Sequence, residues 1–505
     1  MAPRALSIIA ALALALLTLG PIAVVLIRAE GFAALRPGDL EAIRFTLWQA
    51  LLSALFSCLF AVPVARALAR RNFPGRAILV ALLGAPFILP VIVAVMGLLA
   101  VFGGSGVLNK GLGALGLPRL DIYGLHGVVL AHVFFNLPLA TRMLLQGWLA
   151  IPSERFRLAA TLGLTTRAQF LMLEWPLLRR ILPGAFAVIF VICLTSFAVA
   201  LTLGGGPRAT TVELAIYQAM RFDFDLGRAA VLAVIQLGLA LIAGAIAWRV
   251  SVGTGFGVGL DRAQPRWDGR GLGARLWDAG WIALVALFLL LPLGLVILRG
   301  GPGLALLSAD TFRAAGHSLM VALGSTALCM FWALPLAHRK GELLSLAAIA
   351  ISPLVLGTGL FLILRPFVNP FSMALPVTGL VNALMSLPFA LRILRPEAEA
   401  IRADFGRLAA TLGLTPRAWA LLVLLPRLRR PMGFAAGLTA ALAMGDLGVI
   451  ALFADPDRAT LPLQVYRLMG SYQMEAASGA ALLLLGLSLG LFWVFDRGGR
   501  VGAGA

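Results

Sequence analysis

The stretch "RLAATLGLTTR" at residues 157–167 recurs as "RLAATLGLTPR" at residues 407–417, and only Thr166 against Pro416 differs. When the comparison is extended to 24 residues, the two stretches are identical at 16 positions without a gap. Sequence self-similarity at a fixed offset indicates an internal duplication. The chain is therefore predicted to contain two copies of one structural unit.

Two further pairs of segments match at nearly the same offset. They are "NLPLATR" at 136–142 with "SLPFALR" at 386–392, and "TTVELAIYQAM" at 210–220 with "ATLPLQVYRLM" at 459–469. Because these matches fall on both sides of the repeated stretch, the duplication involves much more of the chain than one loop.

The composition indicates a membrane protein. Of 505 residues, 61% are hydrophobic and 12% are charged, which is far from the balance of soluble globular domains. The net charge of +19 does not indicate a nucleic-acid partner, because the arginines form short clusters between long apolar runs. The three cysteines, Cys58, Cys193 and Cys329, lie singly inside apolar runs, so they predict neither a disulfide framework nor a zinc site.

A membrane helix needs about 20 mostly apolar residues, and the sequence offers twelve such runs, six in each copy. The runs lie near 5–28, 45–68, 77–102, 125–148, 181–203, 229–250, 276–299, 313–337, 341–365, 375–394, 431–454 and 477–495. The first run is interpreted as an uncleaved membrane helix, because its apolar core exceeds the roughly 7–15 residues of a signal peptide. We expect an all-α polytopic membrane protein with about 12 transmembrane helices.

The runs divide the chain into a first half at 1–250, a Gly-rich cytoplasmic linker at 251–275 and a second half at 276–505. Arginine clusters follow the even-numbered runs, which predicts that these ends and both termini are cytoplasmic. Six spans per half is an even number, so the halves have the same orientation and form two parallel repeats. Both copies of the repeated stretch are then expected on the cytoplasmic face.

The repeated stretch itself reads as a short amphipathic helix between two spans. Ser153 is the expected N-cap, and Gly163 is expected to supply a tight turn before a restart near Thr165. We name the segments 153–168 and 403–418 the loop segments. Leucines give the helix an apolar side: Leu158, Leu162 and Leu164. A single such helix could lie on the lipid surface, but two nearly identical copies favour a protein partner.

The loop segments resemble the cytoplasmic loop motif of ABC importer permeases. In that family the motif reads Glu-Ala-Ala, three residues, Gly and, further on, Leu-Pro. Gly163 lies thirteen positions before Pro176, and Gly413 lies thirteen positions before Pro426, which is the family spacing.

The head of the motif departs from the family pattern. Arg157 and Arg407 stand at the glutamate position, while Ala159 and Ala409 match. The resemblance implies that each loop segment is a coupling helix, which sits in a groove of an ATPase subunit. Two coupling helices imply two copies of a cytoplasmic ABC ATPase, which would bind the ATP and Mg²⁺; this chain is expected to bind no cofactor.

Longer segments resemble the fused thiamine permeases of Gram-negative bacteria. They include "LAHVFFNLPLATRMLLQ" at 130–146, "LGGGPRATTVELAIYQAM" at 203–220 and "GDLGVIALFADPDRATLPLQVYRLMGSYQ" at 445–473. This resemblance covers nearly the whole chain. It implies import of thiamine, and of its phosphate esters, from a periplasmic binding protein across the bacterial inner membrane. Fused permeases for ferric iron share the architecture, so they remain an alternative.

The sequence carries no motif for catalysis. It has no GxxxxGK[ST] segment, so the chain cannot form a P-loop, and its four histidines have no zinc-ligand spacing. We therefore predict no catalytic or metal-binding residues. An integral membrane enzyme or a passive channel remains as an alternative of a different class, although neither explains two matched loop segments.

Polar and aromatic residues inside the runs are candidates for the substrate path. Asp446 lies in the eleventh run, where a carboxylate is costly and often functional, and it would favour the thiazolium cation of thiamine. Ser196 stands at the matching place of the first half, and Asn136, Phe134 and Phe135 are weaker candidates. The alternatives are that Asp446 caps a helix break and that the phenylalanines are packing residues.

Two arginines in the loops after the fifth and eleventh runs, Arg208 and Arg458, are candidates for docking the binding protein. The alternative is that they are solvated loop charges.

Overall fold

The computed structural model describes residues 4–29, 35–84, 88–206, 209–250, 271–337, 352–453 and 455–500. In these ranges the chain is helical, with turns between the helices and no strand. The α-helices are α1 Arg4–Arg28, α2 Pro37–Arg70, α3 Arg76–Leu82, α4 Val91–Phe102, α5 Val107–Ala114, α6 Leu125–Leu149, α7 Ser153–Thr161, α8 Thr166–Gln169, α9 Trp175–Leu194, α10 Ala198–Leu203, α11 Val212–Arg221, α12 Leu226–Val250, α13 Leu272–Gly303, α14 Ala309–Leu336, α15 Pro353–Leu364, α16 Ala374–Thr411, α17 Pro416–Ala418, α18 Leu425–Met444, α19 Gly448–Phe453, α20 Leu461–Gly470 and α21 Met474–Arg500.

Among the described residues, eleven helical stretches are long and apolar enough to cross a membrane. The predicted polytopic membrane protein is thereby confirmed. The run near 341–365 is the one without a full-length counterpart, because only its end, the 12-residue helix α15, lies within the described ranges. The run near 77–102 is interrupted: α3 ends at Leu82 and α4 begins at Val91. Most of the linker predicted at 251–275 lies outside the described residues.

The first helix of each half packs against the other half. Helix α1 contacts α15, and α13 contacts α4. A Cβ atom on Gly359 would overlap the carbonyl of Pro21, and a Cβ atom on Gly97 would overlap the carbonyl of Pro292. The two glycines permit matched close approaches, each to a proline inside the opposite half's first helix. Each half therefore packs its first helix against the other half.

A pair of buried hydrogen bonds occurs at equivalent places in the two halves. The Thr46 hydroxyl accepts from the Val212 N–H at 2.9 Å, and the Ser318 hydroxyl accepts from the Leu461 N–H at 2.8 Å. In each half this bond joins the long second span to the start of a short buried helix, α11 or α20. The same polar contact at matched positions indicates that the two halves share one fold.

Candidate functional site

The first loop segment ends its helix in a Schellman turn. The N–H of Gly163 donates to the Ala160 carbonyl at 3.1 Å, and the N–H of Leu164 donates to the Ala159 carbonyl at 3.0 Å. Gly163 has φ +66° and open space around it. Left-handed backbone at this position is the reason for glycine in the turn, since a side chain would meet no neighbour.

The second loop segment repeats this turn. Gly413 has φ +60°, its N–H donates to the Ala410 carbonyl at 3.1 Å, and the Leu414 N–H donates to the Ala409 carbonyl at 3.0 Å. Ala159 and Ala409, the motif residues that match the family, therefore accept, in each turn, the hydrogen bond from the residue five positions later.

A threonine restarts the helix in both copies. The Thr165 hydroxyl accepts from the Ala168 N–H at 3.3 Å, and the Thr415 hydroxyl accepts from the Ala418 N–H at 3.2 Å. Both threonines have extended backbone, as expected of an N-cap. The restart predicted near Thr165 is confirmed.

Each motif proline follows a π-helical turn. The turns span Phe170–Glu174 and Trp419–Leu424, and Pro176 and Pro426 are the second residues of the α-helices that follow. In each copy the residue before the proline donates to the carbonyl five positions earlier. Proline has no N–H and its ring crowds the carbonyl four positions earlier, so a wider turn accommodates it. The π-turns were not predicted from the sequence, where a proline inside an apolar helical run is the available signal.

The two segments differ in how they join the preceding span. In the first half, α6 ends at Leu149 and α7 begins at Ser153, with Pro152 as the N-cap residue. The expectation that Ser153 is the N-cap is wrong: its hydroxyl bonds to Glu154 instead. In the second half, the residues predicted to begin a separate helix near 403 belong to the 38-residue helix α16, because no Pro-Ser pair interrupts it there.

The loop segments present the same residues to solvent. Arg157 and Arg407 are exposed, as are Pro176 and Pro426 beyond the segments, whereas Ala159 is buried and Ala409 is half-buried. The leucines are exposed as well: Leu158 60%, Leu162 66%, Leu408 56% and Leu412 64%. Exposed leucines at matched positions leave an apolar surface on each segment, which is a feature of protein-binding sites.

One ion pair distinguishes the π-turn that follows the first loop segment from its counterpart in the second half. Glu174, in the π-turn, is fully buried, and its carboxylate contacts the Arg66 guanidinium of α2 at 2.5 Å. Arg66 also lies 4.9 Å from the centre of the Phe170 ring. The equivalent of Glu174 in the second half is Leu424, which is buried.

Both halves contain a broken span in their interior. Helix α9 ends at Leu194 before α10, and α18 ends at Met444 before α19. The ring of Phe197, at the first break, is 3.7 Å from where a Cβ of Gly448, at the second break, would be. The breaks therefore meet between the halves, where irregular backbone in a membrane protein is usually associated with a transport path.

The first break is lined by the candidates Ser196 and Asn136. His132 links the Ser196 hydroxyl at 2.7 Å to the Ser53 hydroxyl at 3.2 Å. Asn136 donates to the His132 carbonyl at 2.9 Å and to the Cys193 sulfur at 3.5 Å. The sequence analysis considered His132 only as a metal ligand and missed this role.

The second break carries Asp446, whose Oδ1 accepts from the Gly448 N–H at 3.2 Å at the start of α19. Anions are favoured at helix N-termini, so the carboxylate acts as a cap there. Asn382, which stands where the first half has His132, donates to the Ala443 carbonyl at 3.5 Å. The structure thus places the three polar candidates, Asn136, Ser196 and Asp446, at the two breaks, with His132 and Asn382 at matched positions beside them.

The remaining candidates lie elsewhere. Phe134 is fully buried, with its ring 5.6 Å from the rings of both Phe135 and Phe288, so it packs in the core. Arg208 lies outside the described residues. Arg458 is half-buried and donates to the Ser372 carbonyl.

No cluster of three or more potential metal ligands occurs in the part of the chain that the structure describes.

Similar proteins were found among curated sequences, whereas no protein-family model matches the chain. The "Thiamine transport system permease protein ThiP" of Brucella abortus is 39% identical over 476 residues, which cover 90% of this chain and 87% of that protein. The proteins of the same name from Salmonella typhimurium and Escherichia coli are 40% identical over 475 and 479 residues, covering 90% of this chain and 88% of each relative.

Proposed function

The chain belongs to the family of fused thiamine transport permeases, and from this membership we propose that it is the membrane subunit of an ATP-driven importer that carries thiamine into the cytoplasm. It is a multi-pass membrane protein, with eleven candidate spans in its described part. We place it in the bacterial inner membrane with both termini in the cytoplasm, which follows from the arginine clusters at the even-numbered span ends.

The observation that supports this function best is the matched geometry of the loop segments. Gly163 and Gly413 turn the chain in the same way, and Pro176 and Pro426 follow the same π-turn. Two similar surfaces, both expected on the cytoplasmic face, suit two equal partners. We propose that each surface binds one copy of a cytoplasmic ABC ATPase, which binds ATP and Mg²⁺ and supplies the energy.

Within each surface we assign separate roles to the exposed residues. The exposed leucines would enter the ATPase groove, and Arg157 and Arg407 would contact its rim. Arginine here has the opposite charge to the family's usual glutamate, so we expect the partner surface to be acidic at this point. Ala159 and Ala409 hold the turn through their carbonyls and do not need a side-chain contact.

The proposed transport cycle is alternating access. A periplasmic binding protein delivers thiamine to the end opposite the loop segments, and ATP binding moves the two loop segments toward each other. The halves then rock, and thiamine passes between the broken spans at Ser196 and Asp446. Because the two breaks already face each other, separation of the halves opens a path beside these residues. Arg208 and Arg458 remain proposed docking points for the binding protein, and the thiamine phosphate esters remain proposed substrates.

The test is uptake of labelled thiamine by proteoliposomes that contain the chain, its ATPase and a loaded binding protein, with and without ATP. We expect ATP-dependent uptake that thiamine diphosphate inhibits and ferric iron does not. ATP hydrolysis without thiamine uptake would keep an importer but reassign its substrate, and iron uptake would identify the alternative. Absence of any coupling to ATP would contradict the proposed function.

A further inference from the structure

A buried carboxylate of α11 joins the two halves next to the first broken span. Glu213 is fully buried, and its Oε1 accepts a hydrogen bond from the Ser352 hydroxyl at the start of α15, in the other half. Gln236 of α12 donates to the same oxygen at 3.5 Å. The second oxygen, Oε2, and the side-chain oxygen of Gln236 are buried, and no hydrogen-bond donor within the described residues reaches either of them.

The fold does not require this carboxylate. In the second half, the position equivalent to Glu213 is Pro462, and the N-cap equivalent to Ser352 is Pro90. In the second half, the short helix α20 and its hydrogen bond to Ser318 form without an equivalent of the Glu213–Ser352 contact. Burial of a carboxylate with an unsatisfied oxygen costs several kcal/mol, on the order of the penalty for an unpaired buried polar group or more. A costly group that the other copy lacks is a candidate for function.

The surroundings of Glu213 favour a cation. Gln236 also donates to the Leu194 carbonyl at 2.9 Å, and Gln49 donates to the Cys193 carbonyl at 2.9 Å. These carbonyls are the C-terminal end of α9, where the helix dipole is negative. Asp446 also has one buried oxygen, Oδ2, without a hydrogen-bond partner among the described residues, but its Oδ1 accepts from the Gly448 N–H at the positive N-terminal end of α19, where the helix dipole already stabilises the carboxylate.

We propose that Glu213 is the carboxylate that binds the cationic thiazolium ring of the substrate when the halves separate, and that Ser352 covers it when they close. This inference rests on the proposed function, because it requires a cation to pass between the halves. Since Glu213 and Ser352 belong to different halves, separation at this point must break their hydrogen bond. The carboxylate then lies exposed on the path, beside the carbonyl end of α9.

The experiment compares two variants in the same proteoliposomes: Glu213→Gln, which removes the charge and keeps the shape, and Ser352→Ala, which removes the cover and keeps the charge. We expect Glu213→Gln to lower thiamine uptake at subsaturating substrate by about tenfold or more, the effect of losing one charged contact. Stimulation of ATP hydrolysis by the loaded binding protein should persist. Ser352→Ala should keep thiamine uptake within about threefold of the unmodified chain.

Other outcomes overturn the inference. If both variants lose uptake equally and raise basal ATP hydrolysis equally, the hydrogen bond between Glu213 and Ser352 only holds the halves together and the carboxylate does not bind substrate. If Glu213→Gln transports normally, the carboxylate does not bind substrate. If Glu213→Gln fails to assemble while Glu213→Asp assembles, the charge serves folding. Failure of the unmodified chain to import thiamine would instead contradict the proposed function, so the two failures are distinguishable.

Discussion

The two loop segments have nearly the same sequence and the same turn, yet they are attached to the membrane spans differently. Gly163 and Gly413 adopt φ values of +66° and +60°, and the N-cap threonines and π-turns repeat as well. The first segment starts with a helix of its own, α7, whereas the second is the end of α16. The repeated residues therefore determine the turn, and the residues before them determine whether the segment is continuous with the preceding membrane span.

The connection differs at many positions, and two adjacent ones lie where α7 begins. The first half has Pro152 and Ser153, and the second has Arg402 and Ala403. Proline disfavours helix at the preceding residue and lacks an N–H, and serine is a poorer helix former than alanine. Proline alone is not decisive, because α16 continues across Pro396. We therefore attribute the separation of α6 from α7 to two unfavourable residues in succession, Pro152 and Ser153.

The first prediction, with the largest expected loss of stability, concerns the ion pair between Arg66 and Glu174 at the π-turn of the first half. Arg66→Leu removes the guanidinium that contacts the buried Glu174, and we expect a loss of about 3 kcal/mol of stability. This value is at the low end for such a loss, because the Arg66 side chain is 21% exposed. Thermal unfolding of the detergent-solubilised protein measures it.

The control is the double variant Arg66→Leu with Glu174→Leu, which copies Leu424 of the second half. It should recover most of the lost stability, since no buried charge remains. Equal instability of the single and double variants would show that packing, and not the charge, matters at this site.

The second prediction tests the feature that the segments share. Gly163→Val or Gly413→Val should cost roughly 1–2 kcal/mol locally, because valine resists left-handed backbone. Nothing lies within 4 Å of a Cβ at either glycine, so strain and not a clash is the cause. We expect ATP-dependent thiamine uptake to be lost while the protein still inserts into the membrane.

Asparagine tolerates left-handed backbone, so Gly163→Asn and Gly413→Asn are the matched controls and should retain uptake. Normal transport by the valine variants would contradict the coupling role of the turns.

The third prediction converts one connection into the other. The variant Pro152→Arg with Ser153→Ala should join α6 to α7 with a stability change below about 1 kcal/mol. Spin labels at Met143 and Leu162 should then report the distance that labels at Ile393 and Leu412 report in the unmodified second half. An unchanged distance would show that tertiary contacts, and not these two residues, separate the helices.

The smallest effect is expected at the one position where the repeated stretches differ. Thr166 begins α8 and Pro416 begins α17, and proline suits the first position of a helix. Thr166→Pro should leave transport unchanged and raise stability by about 0.4–1 kcal/mol, through a more restricted unfolded chain. Loss of stability in thermal unfolding would indicate that the Thr166 N–H has a partner that matters.

The parts of the fold that depend on local sequence were predictable. The duplication, most spans, the turn at Gly163 and the restart at Thr165 follow from periodicity and from residues with distinct backbone preferences. The broken span at Ser196 was signalled only by its polar residues, which also occur in continuous membrane helices. The exchange of first helices had no local signature, since Pro21 and Gly359 are joined by packing alone.

In the candidate site, too, contacts between residues far apart in the chain could not be predicted from the sequence. Glu213 and Ser352 are unremarkable in sequence, because their contact joins residues that are far apart in the chain. Asp446 was identified from its cost in a membrane, but its capping bond to Gly448 depends on where α18 ends. The sequence indicates that burying such a residue is energetically costly, but it does not indicate which residue is its hydrogen-bond partner.

The packing of each half's first helix against the other half has a consequence for synthesis. Helix α1 leaves the ribosome well before α15, on which it packs and which is made only after the first half is complete. N-terminal regions of most proteins fold first as the chain emerges; here the first helix must wait in the lipid for its partner. Joining the halves in one polypeptide ensures that this partner arrives in equal number and on the same ribosome.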